Sequence, residues 1–295
     1  MIDRLLWLYP TRYRTAYGPE IAGTYRDMTA GASRGARVRE GADLAAHALR
    51  VRFGLRSADP LGRFLATAAP FALASAAAVS AVRLTRWCEG VVRSPTPEWL
   101  WLRTLDGVQA FGLLSSLLVC LGAVVALTGR WAAGVAVAVC GLAGTAGLAM
   151  YAEWMYGDRV FLPLMSLVTV AVILACPPDL RPGERMSAAA GAVAAAAWLP
   201  VVVVDADLVD GVSTEYGAWP LLVLTGAGVV LALRARSSGL RELGAMAVAS
   251  APLAANAYTF AWHDARPVAA MFLMLPVAAG CVAAVRAARN ARRPR

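Results

Sequence analysis

Residues 108–127, VQAFGLLSSLLVCLGAVVAL, and residues 131–152, WAAGVAVAVCGLAGTAGLAMYA, are two apolar runs joined by Thr128-Gly129-Arg130. Each run contains no charged side chain and has about 20 residues, the length that an α-helix needs to cross the hydrocarbon core of a bilayer. The pattern predicts a transmembrane hairpin with Arg130 at its tip, and the other segments of the chain are interpreted around it.

The whole chain has the composition of a membrane protein. Of its 295 residues, 59% are hydrophobic, and the mean hydropathy is +0.58. This is too apolar for an ordinary soluble domain. We predict an all-α polytopic membrane protein with eight transmembrane helices, at residues 64–82, 108–127, 131–152, 160–176, 186–204, 218–233, 243–262 and 268–285.

The arginines predict the orientation of these helices. All 28 basic residues are arginine. If the N-terminus is cytoplasmic, the segments on that side carry 22 arginines and the segments on the outer side carry 6. Positive charge accumulates on the cytoplasmic side of membrane proteins. We therefore expect a cell-membrane protein with both termini in the cytoplasm and a basic tail at residues 286–295, next to anionic lipid.

Residues 1–63 predict a small cytoplasmic domain of three helices before the transmembrane domain at residues 64–285. Pro10 ends the first helix, and Gly18-Pro19 is expected to break the second near its start. The third helix carries two neighbouring apolar stripes, and we expect it to be buried over a wide arc. The first stripe is Val38, Ala42, Ala45, Leu49 and Phe53, and the second is Leu44, Ala48, Val51 and Leu55. A domain of about 60 residues is marginally stable on its own, so it is expected to lean on the membrane domain or on a partner.

Two halves of the transmembrane domain resemble one another. Residues 117–130 are echoed by residues 221–234: residues 117–119 match residues 221–223, and residues 122–127 match residues 228–233 after a shift of two positions, so that Gly122 matches Gly228. Similar residues also precede and follow each copy. Copies that lie four helices apart have the same orientation, which predicts a parallel 4+4 repeat about an axis along the membrane normal.

Several classes of chemistry lack their residues. The chain has no lysine, so it has no phosphate-binding loop of the ATPase kind. His47 and His263 are predicted on opposite sides of the bilayer, which excludes an HExxH metalloprotease site. The five cysteines form no CxxC pair or disulfide pattern. We expect no enzyme activity, no cofactor, no metal and no direct binding of nucleic acid.

A candidate ligand site lies in the predicted outer loops. Two clusters of aromatic and charged residues have similar spacing, and they could face one another and receive a ligand or a lipid headgroup. The alternative is an ordinary interfacial belt of aromatic residues with solvated loop charges. The candidate residues are Trp154, Asp158, Arg159, Trp262, Asp264 and Arg266.

A second candidate motif opens the chain. It reads LYP, then YR, YG, a glutamate and a further tyrosine, at positions Tyr9, Pro10, Tyr13, Arg14, Tyr17, Gly18, Glu20 and Tyr25. The motif resembles the opening of actinobacterial membrane proteins with a HAAS-like or permease-prefix N-terminal domain, over about residues 1–55. That resemblance implies a regulatory or accessory membrane protein associated with a PadR-type regulator. It also implies that the motif residues define the domain fold more than they carry chemistry.

Three functions remain as hypotheses. The first is a non-enzymatic sensor, regulator or scaffold for signalling, whose N-terminal domain docks a cytoplasmic partner. The second is a transporter or permease component that works with a separate ATPase subunit, although the predicted helices contain no ionisable residue. The third, a membrane enzyme acting on lipid, rests only on the acidic outer loop at residues 205–215.

Overall fold

The computed structural model describes residues 2–95, 97–151, 160–205, 219–235, 239–260, 273–274 and 276–285. Over these ranges the chain is helical and contains no strand. The helices are α1 (Ile2–Leu6), α2 (Thr11–Thr29), α3 (Arg34–Arg52), α4 (Pro60–Arg93), α5 (Glu98–Thr104), α6 (Gly107–Leu127), α7 (Trp131–Tyr151), α8 (Phe161–Leu174), α9 (Glu184–Asp205), α10 (Trp219–Arg234), α11 (Leu240–Ala249), α12 (Ala251–Phe260) and α13 (Pro276–Val285).

The first of two compact units comprises Met1–Leu65 and Ala175–Leu180. Pro10 immediately precedes α2, and Ser33 caps α3 because its hydroxyl accepts a hydrogen bond from the backbone N–H of Ala36 at 3.3 Å. The short segment Ala175–Leu180 belongs to this unit, and a hydrogen bond from Ser57 lowers the pKa of Asp179. The unit therefore combines the N-terminal helices with the connection between α8 and α9.

Two expectations for the first unit are wrong. Gly18-Pro19 does not break α2, which continues through Pro19 to Thr29. Proline disfavours the helical conformation in the residue before it partly through a clash with that residue's Cβ, and Gly18 has no Cβ, so this part of the cost is absent. The first of the two stripes on α3 is not buried either, because Val38 and Phe53 are about 60% exposed. The buried residues of α3 are Ala48, which belongs to the second stripe, and Gly41.

The second unit comprises Ala66–Leu174 and Arg181–Arg295. Its best-packed part is the α6–α7 hairpin. A Cβ on Gly122 would lie 2.7 Å from the carbonyl oxygen of Gly134, and a Cβ on Gly134 would lie 2.5 Å from the carbonyl oxygen of Gly122. The turn ends in Gly129, whose φ of +104° favours glycine. Glycines thus let the two backbones approach closely, as small residues do between membrane helices.

Helix α8 packs between α7 and α12 in the same unit. Leu162 of α8 forms a buried cluster with Ala149 of α7 and Ala255 of α12. Beside this cluster, the rings of Phe161 and Tyr258 lie 4.5 Å apart between centroids. The core of the unit is built mainly from alanine and leucine.

Each of the eight predicted apolar segments contains helix in the part that the structure describes. Three of the helices, Pro60–Arg93, Gly107–Leu127 and Trp131–Tyr151, are long and apolar enough to cross a membrane. Helix α4 extends well beyond the predicted segment 64–82. The helices Phe161–Leu174, Trp219–Arg234 and Pro276–Val285 are apolar but shorter.

The segment predicted at 243–262 differs most from expectation, because Ser250 divides it into α11 and α12. Pro252 has no N–H to donate to the carbonyl of Val248. Nearby, the Ser250 hydroxyl donates a hydrogen bond to the carbonyl of Ala247 at 2.6 Å. Helix α11 also begins before the predicted segment and so includes Glu242, which is 5% exposed. One of its oxygens lies 2.7 Å from Arg241 Nη2.

Candidate functional site

A row of tyrosines crosses the first unit along the start of α2. Residues four apart on a helix share one face, so Tyr13 and Tyr17 are neighbours, and Tyr9 continues the row just before the helix. The rings of Tyr9 and Tyr13 stack with their centroids 5.3 Å apart and their planes 8° apart. The centroids of Tyr13 and Tyr17 are 4.8 Å apart. The spacing in the sequence thus produces a continuous aromatic surface.

Tyr9 anchors this row to α3. Its ring is 2% exposed, and its hydroxyl lies 2.8 Å from Nδ1 of His47. Burial, with a contribution from Tyr13, raises the pKa of Tyr9 to about 12, so its hydroxyl remains protonated. Burial and the nearby Arg56 and Arg50 lower the pKa of His47. A hydrogen bond between the Tyr9 hydroxyl and the His47 imidazole therefore links the row to α3.

A groove of about 420 Å³ runs between α2 and α3 beside the tyrosine row. This volume is at the lower end of the range for small-molecule and side-chain sites. Aromatic, acidic and aliphatic side chains line the groove. The lining residues are Tyr9, Tyr13, Tyr17, Glu20, Ile21, Thr24, Tyr25, Met28, Glu40, Asp43, Leu44 and His47.

The charge of the groove is opposite to that of its domain. Residues 1–63 contain eleven arginines and six acidic residues. Half of those acidic residues, Glu20, Glu40 and Asp43, line the groove, whereas the described lining includes no arginine. Among the residues that the structure describes, no ion pair engages any of the three carboxylates. The groove is thus an acidic, aromatic concavity in a basic domain.

The motif at the start of the sequence contributes much of this groove. Tyr9, Tyr13, Tyr17, Glu20 and Tyr25 all line it. The other three motif residues have structural positions. Pro10 precedes α2, and the guanidinium carbon of Arg14 lies 4.4 Å from the ring centre of Trp7. Gly18 is a buried residue of α2, and a Cβ added to it would lie 3.5 Å from Cγ of Arg14.

The α3 side of the groove was not predicted as a site. It consists of Glu40, Asp43, Leu44 and His47. Their spacings of three, four and seven residues place them on one face of a helix, and that spacing is the signal in the sequence that identifies them. The predicted outer-face residues lie outside the described residues. They are Trp154, Asp158, Arg159, Trp262, Asp264 and Arg266.

The second unit has a groove of similar size but different chemistry. It has a volume of about 410 Å³, lies between α4, α6 and α9, and is lined mainly by alanines. Trp198 closes one side and donates from its indole nitrogen to the hydroxyl of Thr85 at 3.0 Å. The polar lining atoms belong to Cys120, Thr128 and Ser187 besides the tryptophan. Such a groove suits aliphatic groups.

Neither groove has the residues of a metal centre. Within the described ranges, no group of three or more histidine, cysteine, aspartate or glutamate residues is placed to hold a metal ion. No protein-family model, curated protein or solved structure matches this chain. The residues of the chain itself therefore carry the functional interpretation.

Proposed function

We propose that the chain is a non-enzymatic, multi-pass cell-membrane protein whose N-terminal helical domain docks a soluble cytoplasmic partner through the groove between α2 and α3. The groove carries this proposal. Its tyrosine hydroxyls, carboxylates and aliphatic side chains suit binding, and the histidine in it is engaged by Tyr9 at 2.8 Å. The resemblance of residues 1–55 to permease-prefix domains agrees with a regulatory role beside a PadR-type partner.

The location of the N-terminal domain in the cytoplasm has support from its packing. The arginine distribution assigns residues 1–63 and 177–185 to the cytoplasmic side. The structure joins Met1–Leu65 with Ala175–Leu180 in one compact unit. A compact unit cannot be divided between the two sides of a bilayer, so both segments belong on the same side.

The eight-helix arrangement with a parallel 4+4 repeat is part of the proposal. Gly122 and Gly228, which the repeat aligns, occupy similar places. A Cβ on Gly122 would lie 2.8 Å from Ala138 Cα of the next helix, and one on Gly228 would lie 2.7 Å from Met246 Cγ of α11. The aligned Ala126 and Ala232 are both buried and both lie next to a glycine, Gly134 or Gly239. Close approach at both glycines, to backbone at Gly122 and to a side chain at Gly228, is the observation that favours a duplication.

Site-specific photo-crosslinking tests the docking function. A benzoylphenylalanine in place of Tyr17, which lines the groove and is 49% exposed, is expected to capture a discrete soluble protein in the cells that produce the chain. The matched control is the same substitution at Ala16, which is exposed on α2 but outside the lining. The proposal would be contradicted if position 17 gave no crosslinked product, or if positions 16 and 17 gave the same products.

A transporter or permease component with a separate ATPase subunit is the alternative function. One feature of α11 favours it. Glu242 has a buried carboxylate oxygen without a hydrogen-bond partner among the described residues. Co-purification of an ATPase subunit with the full chain would favour this alternative.

A further inference from the structure

We infer that the groove recognises an arginine of the docking protein, held between the tyrosine row on α2 and the carboxylates on the two helices. This inference rests on the proposed docking function and names the chemistry of the docked segment. It follows from three properties of the groove, which are its accessible aromatic surface, its unpaired acidic groups and its aliphatic lining residues.

The tyrosine row offers ring faces to a cation. Tyr9 is buried and serves as the base of the row, while Tyr13 is half-buried and Tyr17 is 49% exposed. A guanidinium group stacks on aromatic faces and gains energy from the ring quadrupole. An ammonium group is more strongly hydrated and lacks the planar shape, so arginine fits this surface better than lysine.

The carboxylates supply the opposite charge from both walls. Glu20 belongs to α2, whereas Glu40 and Asp43 belong to α3. Within the described part of the chain these three groups have no ion pair, although the domain contains eleven arginines. A guanidinium from another protein could form the bidentate pairs with carboxylate that the domain itself does not make.

The protonated form of His47 is disfavoured. Burial, Arg56 and Arg50 all lower the pKa of His47, so a docked guanidinium is expected beside the tyrosines and carboxylates and not directly beside the imidazole. Apart from this histidine, the charged side chains that line the groove are all acidic. Elsewhere the domain is basic and would repel a cationic segment, which restricts such a segment to this groove.

The aliphatic lining of the groove indicates a peptide rather than a free amine. Ile21, Met28 and Leu44 line it together with the tyrosines, and Met28 is 57% exposed. These side chains would cover aliphatic residues next to a docked arginine. A free amine would leave that apolar surface in contact with water. The segment that fits is therefore an arginine flanked by aliphatic residues in a soluble protein.

The test uses the full chain in nanodiscs of zwitterionic lipid and a short, blocked fluorescent peptide in which arginines alternate with leucines. A second peptide carries citrulline, which has the shape of arginine without its charge. We expect the arginine peptide to bind about tenfold more tightly than the citrulline peptide, and to lose that advantage at high salt. Equal binding of the two peptides would overturn the inference.

Substitutions in the chain locate the binding. The combined variant Glu20→Gln, Glu40→Gln and Asp43→Asn is expected to weaken binding of the arginine peptide about tenfold. The control Asp27→Asn, an exposed acid on α2 outside the lining, is expected to bind as the unmodified chain does. Equal effects of the two variants would overturn the inference.

A further variant removes an aromatic face without changing any charge. Tyr17→Leu is expected to weaken the arginine peptide several-fold and to leave the citrulline peptide unchanged, since Tyr17 is half exposed and its loss leaves the domain packed. An unchanged arginine affinity would contradict the inference. If crosslinking at position 17 captures a protein but the two peptides bind equally, docking stands and only its arginine chemistry fails.

Discussion

Replacing Gly134 with leucine is expected to prevent α6 and α7 from packing as a hairpin and to lower the free energy of unfolding by about 3 kcal/mol. Even a Cβ at this position would contact the backbone nitrogen of Ala126 and would lie 2.6 Å from its Cα. Both contacts are with backbone, which cannot move aside as the end of a side chain can. The two helices would have to separate along their length and lose the contacts that close approach provides.

Thermal unfolding of the purified full chain in detergent measures this effect. The matched control is Gly147→Leu, on the same helix, where a Cβ would have no heavy atom within 4 Å. We expect Gly147→Leu to unfold near the temperature of the unmodified chain and Gly134→Leu to unfold at a much lower one or to aggregate. Similar unfolding temperatures for the two variants would show that the hairpin is not packed through its glycines.

Replacing Ala48 with leucine is expected to unfold the N-terminal helices and abolish the groove. Ala48 lies on α3 with no exposed surface, so the larger side chain has no room unless α3 moves away from its neighbours. Overpacking of this kind costs about 1–3 kcal/mol, and a domain of about 60 residues has little stability to spare. The loss is therefore expected to be complete rather than partial.

Hydrogen–deuterium exchange of the full chain measures this loss directly. Peptides from α2 and α3 are expected to exchange fast in Ala48→Leu, while peptides from α6 and α7 keep their protection. Ala42→Leu is the control, because Ala42 is exposed on the same helix and does not line the groove. Protected α2 and α3 peptides in Ala48→Leu would mean that the two helices do not pack as described.

The sequence predicts the helices better than it predicts their interruptions. Runs without charge, such as residues 108–127, coincide with helices because backbone N–H and C=O groups in an apolar environment must form hydrogen bonds with each other. The division at Ser250 was not predicted, although Pro252 was visible, because proline within an apolar run is often accommodated. Conversely, Pro19 was expected to break α2 and does not, and Gly18 removes part of the steric cost.

The candidate site was predictable on one wall only. The spacing of Tyr13 and Tyr17 indicates a shared face on α2, but it does not indicate what lies opposite. That depends on which face of α3 approaches α2. Both apolar stripes of α3 were expected to be buried. The stripe with Val38 and Phe53 is exposed, whereas Ala48 of the other stripe is buried, as is Gly41, and these small residues allow closer approach. Because α3 packs through its small residues, Glu40 and Asp43 of the same helix line the groove.

The most direct test of the account is the side of the membrane on which each end of the chain lies. Single cysteines are introduced by Ala16→Cys, Ala291→Cys and Ser213→Cys in a chain whose own five cysteines are replaced by serine. A membrane-impermeant maleimide should label only position 213 in intact cells, and positions 16 and 291 only after the membrane is opened. Labelling of position 16 or 291 in intact cells would contradict a cytoplasmic docking domain.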